Sequence, residues 1–306
     1  MKPRVNHRTV GLALVIASGL MAQERPDTSS HTVQFVSVET DVRLEVLDWG
    51  GSGRPLIFLA GMGNTAHIFD SFAPKFTGNC HVYGITRRGF GLSSKPEPTV
   101  ANYSAGRLGD DVLAVIDGLK LNRPVVAGHS IAGEELSSVG SHHPEKVAGL
   151  IYLDAGYGYA FYDTMHGDLW LDMIDLRKRI DALEAGTAED RKQNWNEMLG
   201  DATRLEKALQ QVTKEMASMP NVPTPPAIGR AIQFGAEKYT KIPVPILAIF
   251  AVSRTPNPHA AEQVQAFEAG LPSARVVRLQ HAEHYVFRSN EAEVVREMNS
   301  FLGSIK

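Results

Sequence analysis

Cysteine is almost absent from this chain. Cys80 stands alone among 306 residues, so an internal disulfide framework is excluded. Its apolar neighbours mark it as a buried structural thiol rather than a reactive one. An excess of charge of one sign is missing too. The 31 Lys and Arg stand against 34 Asp and Glu, with a formal net charge of -3 and no long run of either sign. That balance offers no basic surface to a nucleic acid. No internal repeat is visible. His142-His143 has no further ligand at metal spacing, so no metal and no cofactor is expected. What remains is 43% hydrophobic and 21% charged, the composition of a soluble globular chain. The length suits one large α/β domain or two small ones.

The N-terminus has the pattern of a targeting segment. Lys2, Arg4 and Arg8 precede the apolar stretch Val10 to Ala22, and a polar segment follows. The stretch is too short to span a bilayer comfortably. Residues 1–22 are therefore expected to be a signal peptide of an exported protein, periplasmic or secreted. The bond after Ala22 and the Ala17-Ser18-Gly19 segment are the two candidate cleavage sites. A membrane-tethered or disordered N-terminus is the alternative. Cleavage removes three cations and no acid, leaving a more acidic protein without stable membrane insertion.

From Thr32 to Asp48 apolar residues alternate with a period of two on either side of Thr40-Asp41, which predicts a β-hairpin. Short apolar runs at Leu56–Ala60, His81–Thr86, Val125–Ala127, Val147–Leu153, Pro245–Ala251 and Arg275–Leu279 predict buried strands. Between them, Ala66–Phe76, the Leu108–Leu119 repeat, Ile131–His142, a segment from about His259 to Gly270, and Glu291–Ile305 read as helices. Alternation of this kind predicts a mostly parallel sheet covered on both faces. The texture changes at Gly156. An aromatic, glycine-rich stretch leads into a charged helical segment from Leu169 to Met219, then a proline-rich one from Pro220 to Pro226. Residues 156–241 are thus expected to be a helical cap or lid inserted into a core of residues 32–155 and 242–306. Ligands of such sheets bind outside the C-terminal strand ends, where the lid is expected to sit.

The most informative stretch is Pro124-Val-Val-Ala-Gly-His-Ser-Ile-Ala-Gly133. An apolar strand runs into a tight turn with Ser130 at its tip, and a helix follows. Small residues at Gly128 and Ala132 let strand and helix approach while the serine occupies a strained turn. A helix N-cap serine is the structural alternative. Upstream, Gly61-Met62-Gly63 forms a glycine-rich turn after a strand, and Arg87-Arg88-Gly89-Phe90-Gly91-Leu92-Ser93 forms another loop. Downstream, His281 and His284 follow the last strand.

The order of these motifs resembles the α/β-hydrolase superfamily, in its serine esterase, lipase and peroxidase-like branch, over nearly all of residues 32–306. The resemblance implies an eight-stranded, mostly parallel sheet with helices on both faces and a helical lid. It implies Ser130 as nucleophile and His284, which precedes Tyr285-Val286-Phe287, as its base, with His281 the less favoured histidine. The usual place for the acid, Ala251 to Pro258, holds no carboxylate. Asp154, at the end of the Val147–Leu153 strand, is the expected acid, with Asn257 or Ser253 as uncharged alternatives. The backbone N–H groups of Met62 and Ile131 are the expected oxyanion donors. Tyr157, Tyr159 and Phe161 are expected to bind substrate.

These residues imply a cofactor-free hydrolase that cleaves a small apolar carboxylic ester through an acyl-serine intermediate. Two other readings stand beside it. One keeps the triad and changes the reaction to perhydrolysis, C–C hydrolysis or aminopeptidase chemistry. The other is a ligand-binding protein that retains the hydrolase scaffold without turnover. Aspartate-nucleophile dehalogenases and epoxide hydrolases are disfavoured, because serine occupies the elbow.

Overall fold

The computed structural model describes residues 31–183, 188–216, 225–253 and 258–305. The expected signal peptide and Asn257 lie outside the described residues. Contacts divide the chain into two compact units. The smaller includes Asp163–Pro225, and the larger includes the described residues up to Tyr162 and from Pro226 onward.

The larger unit is built on an eight-stranded sheet. The strands are β1 (Thr32–Glu39), β2 (Val42–Gly51), β3 (Arg54–Leu59), β4 (Cys80–Ile85), β5 (Val125–His129), β6 (Gly149–Leu153), β7 (Ile246–Val252) and β8 (Ala274–Gln280). Their spatial order is β1-β2-β4-β3-β5-β6-β7-β8. The first hairpin pairs antiparallel, as does β2 with β4, and every later pairing is parallel. The chain moves outward from β3 to β4, then returns to place β5 on the other side of β3. That reversal opens a crevice beyond the carboxyl ends of β3 and β5.

The helices are α1 (Val100–Tyr103), α2 (Ala105–Gly118), α3 (Gly133–His142), α4 (Leu169–Ala182), α5 (Ala188–Met216), α6 (Ala227–Phe234), α7 (Pro258–Gly270), α8 (Val286–Ser289) and α9 (Glu291–Ser304). Alternate strand residues feed two cores. Ile57, Val126 and Tyr152 pack with Val112, Val115, Leu136 and Phe267 of α2, α3 and α7. Leu56, Phe58 and Ile151 pack on the opposite face with Val294, Met298 and Phe301 of α9. Cys80 is buried in that second core, and burial pushes its thiol pKa up. The single helix expected over Ala66–Phe76 is instead two 3-10 turns, Ala66–Phe69 and Ala73–Phe76. Pro74, which lacks an N–H, stands at the start of the second. Phe69, Phe72 and Phe76 nonetheless reach the core around Phe58, with ring centroids 4.9, 5.8 and 5.8 Å away.

The smaller unit is helical. α4 begins at Asp168, whose side chain accepts the Leu171 N–H and caps the first turn. α4 packs on the long charged helix α5. Among the described residues, no helix is long and apolar enough to cross a membrane.

Candidate active site

Ser130 follows β5 at φ +55°, in the left-handed region that costs a residue with a Cβ. Gly128 makes the turn possible. A Cβ there would stand 3.0 Å from the Ala132 Cβ and 3.0 Å from Leu136 Cδ1. The helix after the serine starts with one 3-10 turn, Ser130–Ala132, before α3. Gly61 sits equally close. A Cβ on it would fall 2.8 Å from His129 Nδ1 and 3.1 Å from Ser130 Cβ. The turn after β3 thus runs directly against the serine.

Asp154 ends β6 and also adopts a positive φ, +50°. His284 follows β8, just before α8. The three side chains meet in a line. Ser130 Oγ lies 2.9 Å from His284 Nε2, and Asp154 Oδ2 lies 2.7 Å from His284 Nδ1. Asp154 is buried. Its other oxygen accepts the Tyr157 hydroxyl at 2.6 Å and the Ala251 N–H at 2.9 Å. Fixed donors on Oδ1 therefore orient this carboxylate, with Oδ2 left for the imidazole. The end of β7, which lacks a carboxylate, supplies a backbone donor to one reaching across from β6. His281, at φ +61°, stands on the turn after β8 and does not take the place of His284.

His129, beside the serine, has a different task. Its Nε2–H donates to the His284 backbone carbonyl at 3.0 Å, and its ring lies 4.6 Å from that of His284 and 4.8 Å from that of Tyr285. The base is thus gripped by its backbone while its ring points to Ser130. Burial, and next the nearby His284, push the His129 pKa down to about 3. The unfolded chain binds a proton here below about pH 6.5, whereas the folded chain resists it until about pH 3. His129 therefore costs stability as pH falls through that window. His129→Asn, compared with wild type by urea unfolding, is expected to lose its disadvantage progressively from pH 6.5 to 4.

Gly61, Met62, Gly63 and Asn64 close a turn through the Asn64 N–H to the Gly61 carbonyl at 3.2 Å. Among the described residues no acceptor takes the Met62 N–H. Tyr159 stands near Asp154 and Ser130, its ring 6.2 Å from that of Tyr157, and burial pushes its phenol pKa well up, with Asp154 and Glu134 adding to the shift. Phe161 lies elsewhere. It is buried in the first core, its ring 5.8 Å from Phe267. The structure therefore brings Ser130, His284, Asp154, Tyr157 and Tyr159 together and leaves Phe161 in the packing beneath. Sequence reasoning missed the Tyr157 and Ala251 donors, and with them the reason Asp154 is held in place.

Arg87 and Glu134 lie in the same neighbourhood. Arg87 forks onto Glu135 at 2.5 and 2.7 Å and also donates to the Ala60 carbonyl at 3.0 Å, which ties the turn after β3 to α3. Glu134 is different. Its carboxyl is buried, and neither oxygen has a hydrogen-bond partner. Burial, with Glu135 adding to it, raises its pKa well above 4.5. Stability is thus undiminished below pH 4.5, where the unfolded chain is protonated too, and is lost as pH rises above it. Glu134→Gln is expected to be stabilised relative to wild type at pH 8, by about 1–3 kcal/mol, and not at pH 4. Paired thermal melts at the two pH values measure it.

Eight mostly parallel strands, helices on both faces and a serine elbow after the fifth strand define the α/β-hydrolase architecture. The pattern of the alpha/beta hydrolase family matches residues 56–297, and the chain belongs to that family. It is 31% identical to the fluoroacetate dehalogenase of a Burkholderia species over 118 residues, 38% of this chain and 39% of that protein. It is 29% identical to a serine hydrolase-like protein of Danio rerio over 126 residues, 41% of this chain and 37% of that protein. The matched part thus spans about two fifths of the length of these curated relatives. The crystal structure of Bacillus megaterium epoxide hydrolase in complex with an inhibitor superposes with a TM-score of 0.60 at 19% identity, covering 89% of this chain and 100% of that one. That likeness is one of fold.

Proposed function

We propose that this alpha/beta hydrolase is a serine esterase, cleaving a small apolar carboxylic ester through an acyl-Ser130 intermediate. The observation that carries the reading is the unbroken chain Ser130 Oγ, His284 Nε2, His284 Nδ1, Asp154 Oδ2, with links of 2.9 and 2.7 Å. His284 Nε2 accepts the serine proton as Oγ attacks the ester carbonyl. Asp154 holds the Nδ1–H tautomer and stabilises the imidazolium. The Met62 and Ile131 N–H groups receive the oxyanion of the tetrahedral intermediate. The intermediate collapses as His284 gives its proton to the leaving alkoxide. Water, deprotonated by His284, then attacks the acyl-enzyme carbonyl, and collapse returns the proton to Ser130 and releases the acid.

A relative that carries the name dehalogenase matches part of the chain, and a solved epoxide hydrolase shares its fold. Here the elbow presents a serine hydroxyl, and its hydrogen bond to a histidine supports acyl transfer. Tyr159, near Ser130 and Asp154, lies where it can meet the substrate. Hydrolysis of a chain-length series of p-nitrophenyl esters tests the reading. Turnover with a short-to-medium acyl optimum is expected. No turnover above that of Ser130→Ala contradicts it.

A further inference from the structure

At the start of β1, away from the elbow in sequence, His31, His67 and Asp70 bring three ligand atoms within 4.8 Å of one another. His67 stands on the 3-10 turn Ala66–Phe69 and Asp70, three residues on, caps its end, so that their side chains lie close to one another. His67 Nδ1 lies 3.1 Å from Asp70 Oδ2, and His31 Nδ1 lies 3.3 Å from Asp70 Oδ1. These two contacts run to different oxygens of Asp70, and one ligand atom from each residue lies within 4.8 Å of the others, edges that an ion with bonds of roughly 2.0–2.1 Å would draw in. A hydrogen-bonded cluster has similar edges, so spacing alone does not decide.

The surroundings add a second observation. Metal-bound histidines nearly always direct their other ring nitrogen to a carboxylate or carbonyl, and ligating carboxylates are themselves hydrogen-bonded. Asp70 has the second feature, and His67 approaches the first. His67 turns Nε2 toward the buried Glu45, with Oε1 3.7 Å away. The Trp49 indole N–H donates to Asp70 Oδ1 at 3.2 Å, and the His31 ring stands edge-on to Trp49. Glu45 is an acid in a strand interior that the proposed reaction does not use. Two imidazoles and one carboxylate, with room in the shell for water, suit a borderline divalent cation rather than calcium or magnesium.

We propose that His31, His67 and Asp70 form a binding site for a divalent transition metal of the zinc, nickel and cobalt class, with Glu45 and Trp49 orienting the ligands. The ion would clamp the start of β1 to the turn that follows β3. It has no part in the serine chemistry, so its presence or absence leaves the esterase reading untouched.

The test is calorimetric titration of the full chain, untagged and stripped with a chelator, with ZnCl2, and a parallel titration with CoCl2 read by visible absorption. Wild type is expected to bind one equivalent of zinc, to give the intense d–d bands of nitrogen-ligated cobalt, and to melt at a higher temperature when loaded. His31→Gln and Asp70→Asn are each expected to weaken binding at least ~10-fold, Glu45→Gln to weaken it ~10-fold or more, and the surface variant His143→Gln to leave it unchanged. Circular dichroism checks that each variant is folded. Absence of a one-equivalent step in wild type overturns the proposal, as do cobalt spectra of a fully hydrated ion. Binding that survives both His31→Gln and Asp70→Asn means an adventitious ion only.

Discussion

Ser130→Ala is expected to lower kcat for ester hydrolysis by about 10⁶-fold, down to what binding and the oxyanion donors alone achieve. The loss is large because the other parts act only through this oxygen. His284 Nε2 is aimed at Ser130 Oγ from 2.9 Å, and its backbone is fixed by His129. A water in place of the hydroxyl would lack the strained turn that projects the serine at φ +55°. The variant is expected to remain folded, since alanine removes one hydroxyl and no backbone contact. Rates with a p-nitrophenyl ester, alongside a thermal melt, separate loss of chemistry from loss of structure.

Asp154→Asn is expected to lower kcat about 10⁴-fold with little change in the fold. The hydrogen bonds say why. Tyr157 and the Ala251 N–H both donate to Oδ1, so the asparagine carbonyl oxygen must take that position. Its NH2 group is then turned to His284 Nδ1, where the carboxylate oxygen stood at 2.7 Å. An N–H facing Nδ1 forces the imidazole proton onto Nε2, the nitrogen that must accept the serine proton. The enzyme would hold the wrong tautomer, in the right geometry. Tyr157→Phe in the Asp154→Asn background removes one of the two donors that fix the amide. That double variant is expected to recover part of the lost rate, a sign reversal that a purely structural role for Tyr157 does not give.

Much of this was legible in the sequence because the chemistry constrains it locally. The elbow needs small residues around Ser130, and Gly128 meets Ala132 at 3.0 Å, as the spacing implied. His284 was marked by the aromatic and apolar residues after it. Asp154 was marked by the resemblance, which places the acid at the end of the sixth strand when the loop after β7 has none. The Ala251 N–H was not legible, since every non-proline residue carries that donor and only the register of β7 aims it. Tyr157 read as one pocket aromatic among several, and Phe161 looked equivalent to it. Which of the two reaches the site depends on the path of the chain after β6, which alternation and periodicity do not encode. The 3-10 turns at Ala66–Phe69 and Ala73–Phe76 escaped for a similar reason: their apolar spacing fits a helix, and tertiary packing on Phe58 settles the matter. His31 and His67 are 36 positions apart in the sequence, a separation that hides their meeting from any search for ligand spacing.

The central claim is that Ser130 is an activated nucleophile. Labelling with a fluorophosphonate, followed by mass spectrometry of the modified peptide, tests it most directly, because the probe needs activation and no particular substrate. The account predicts rapid, stoichiometric phosphonylation of Ser130 in wild type, none in Ser130→Ala, and labelling slowed by orders of magnitude in Asp154→Asn. Wild-type protein that is folded yet unlabelled, or labelled at the same rate when Asp154 is asparagine, contradicts it.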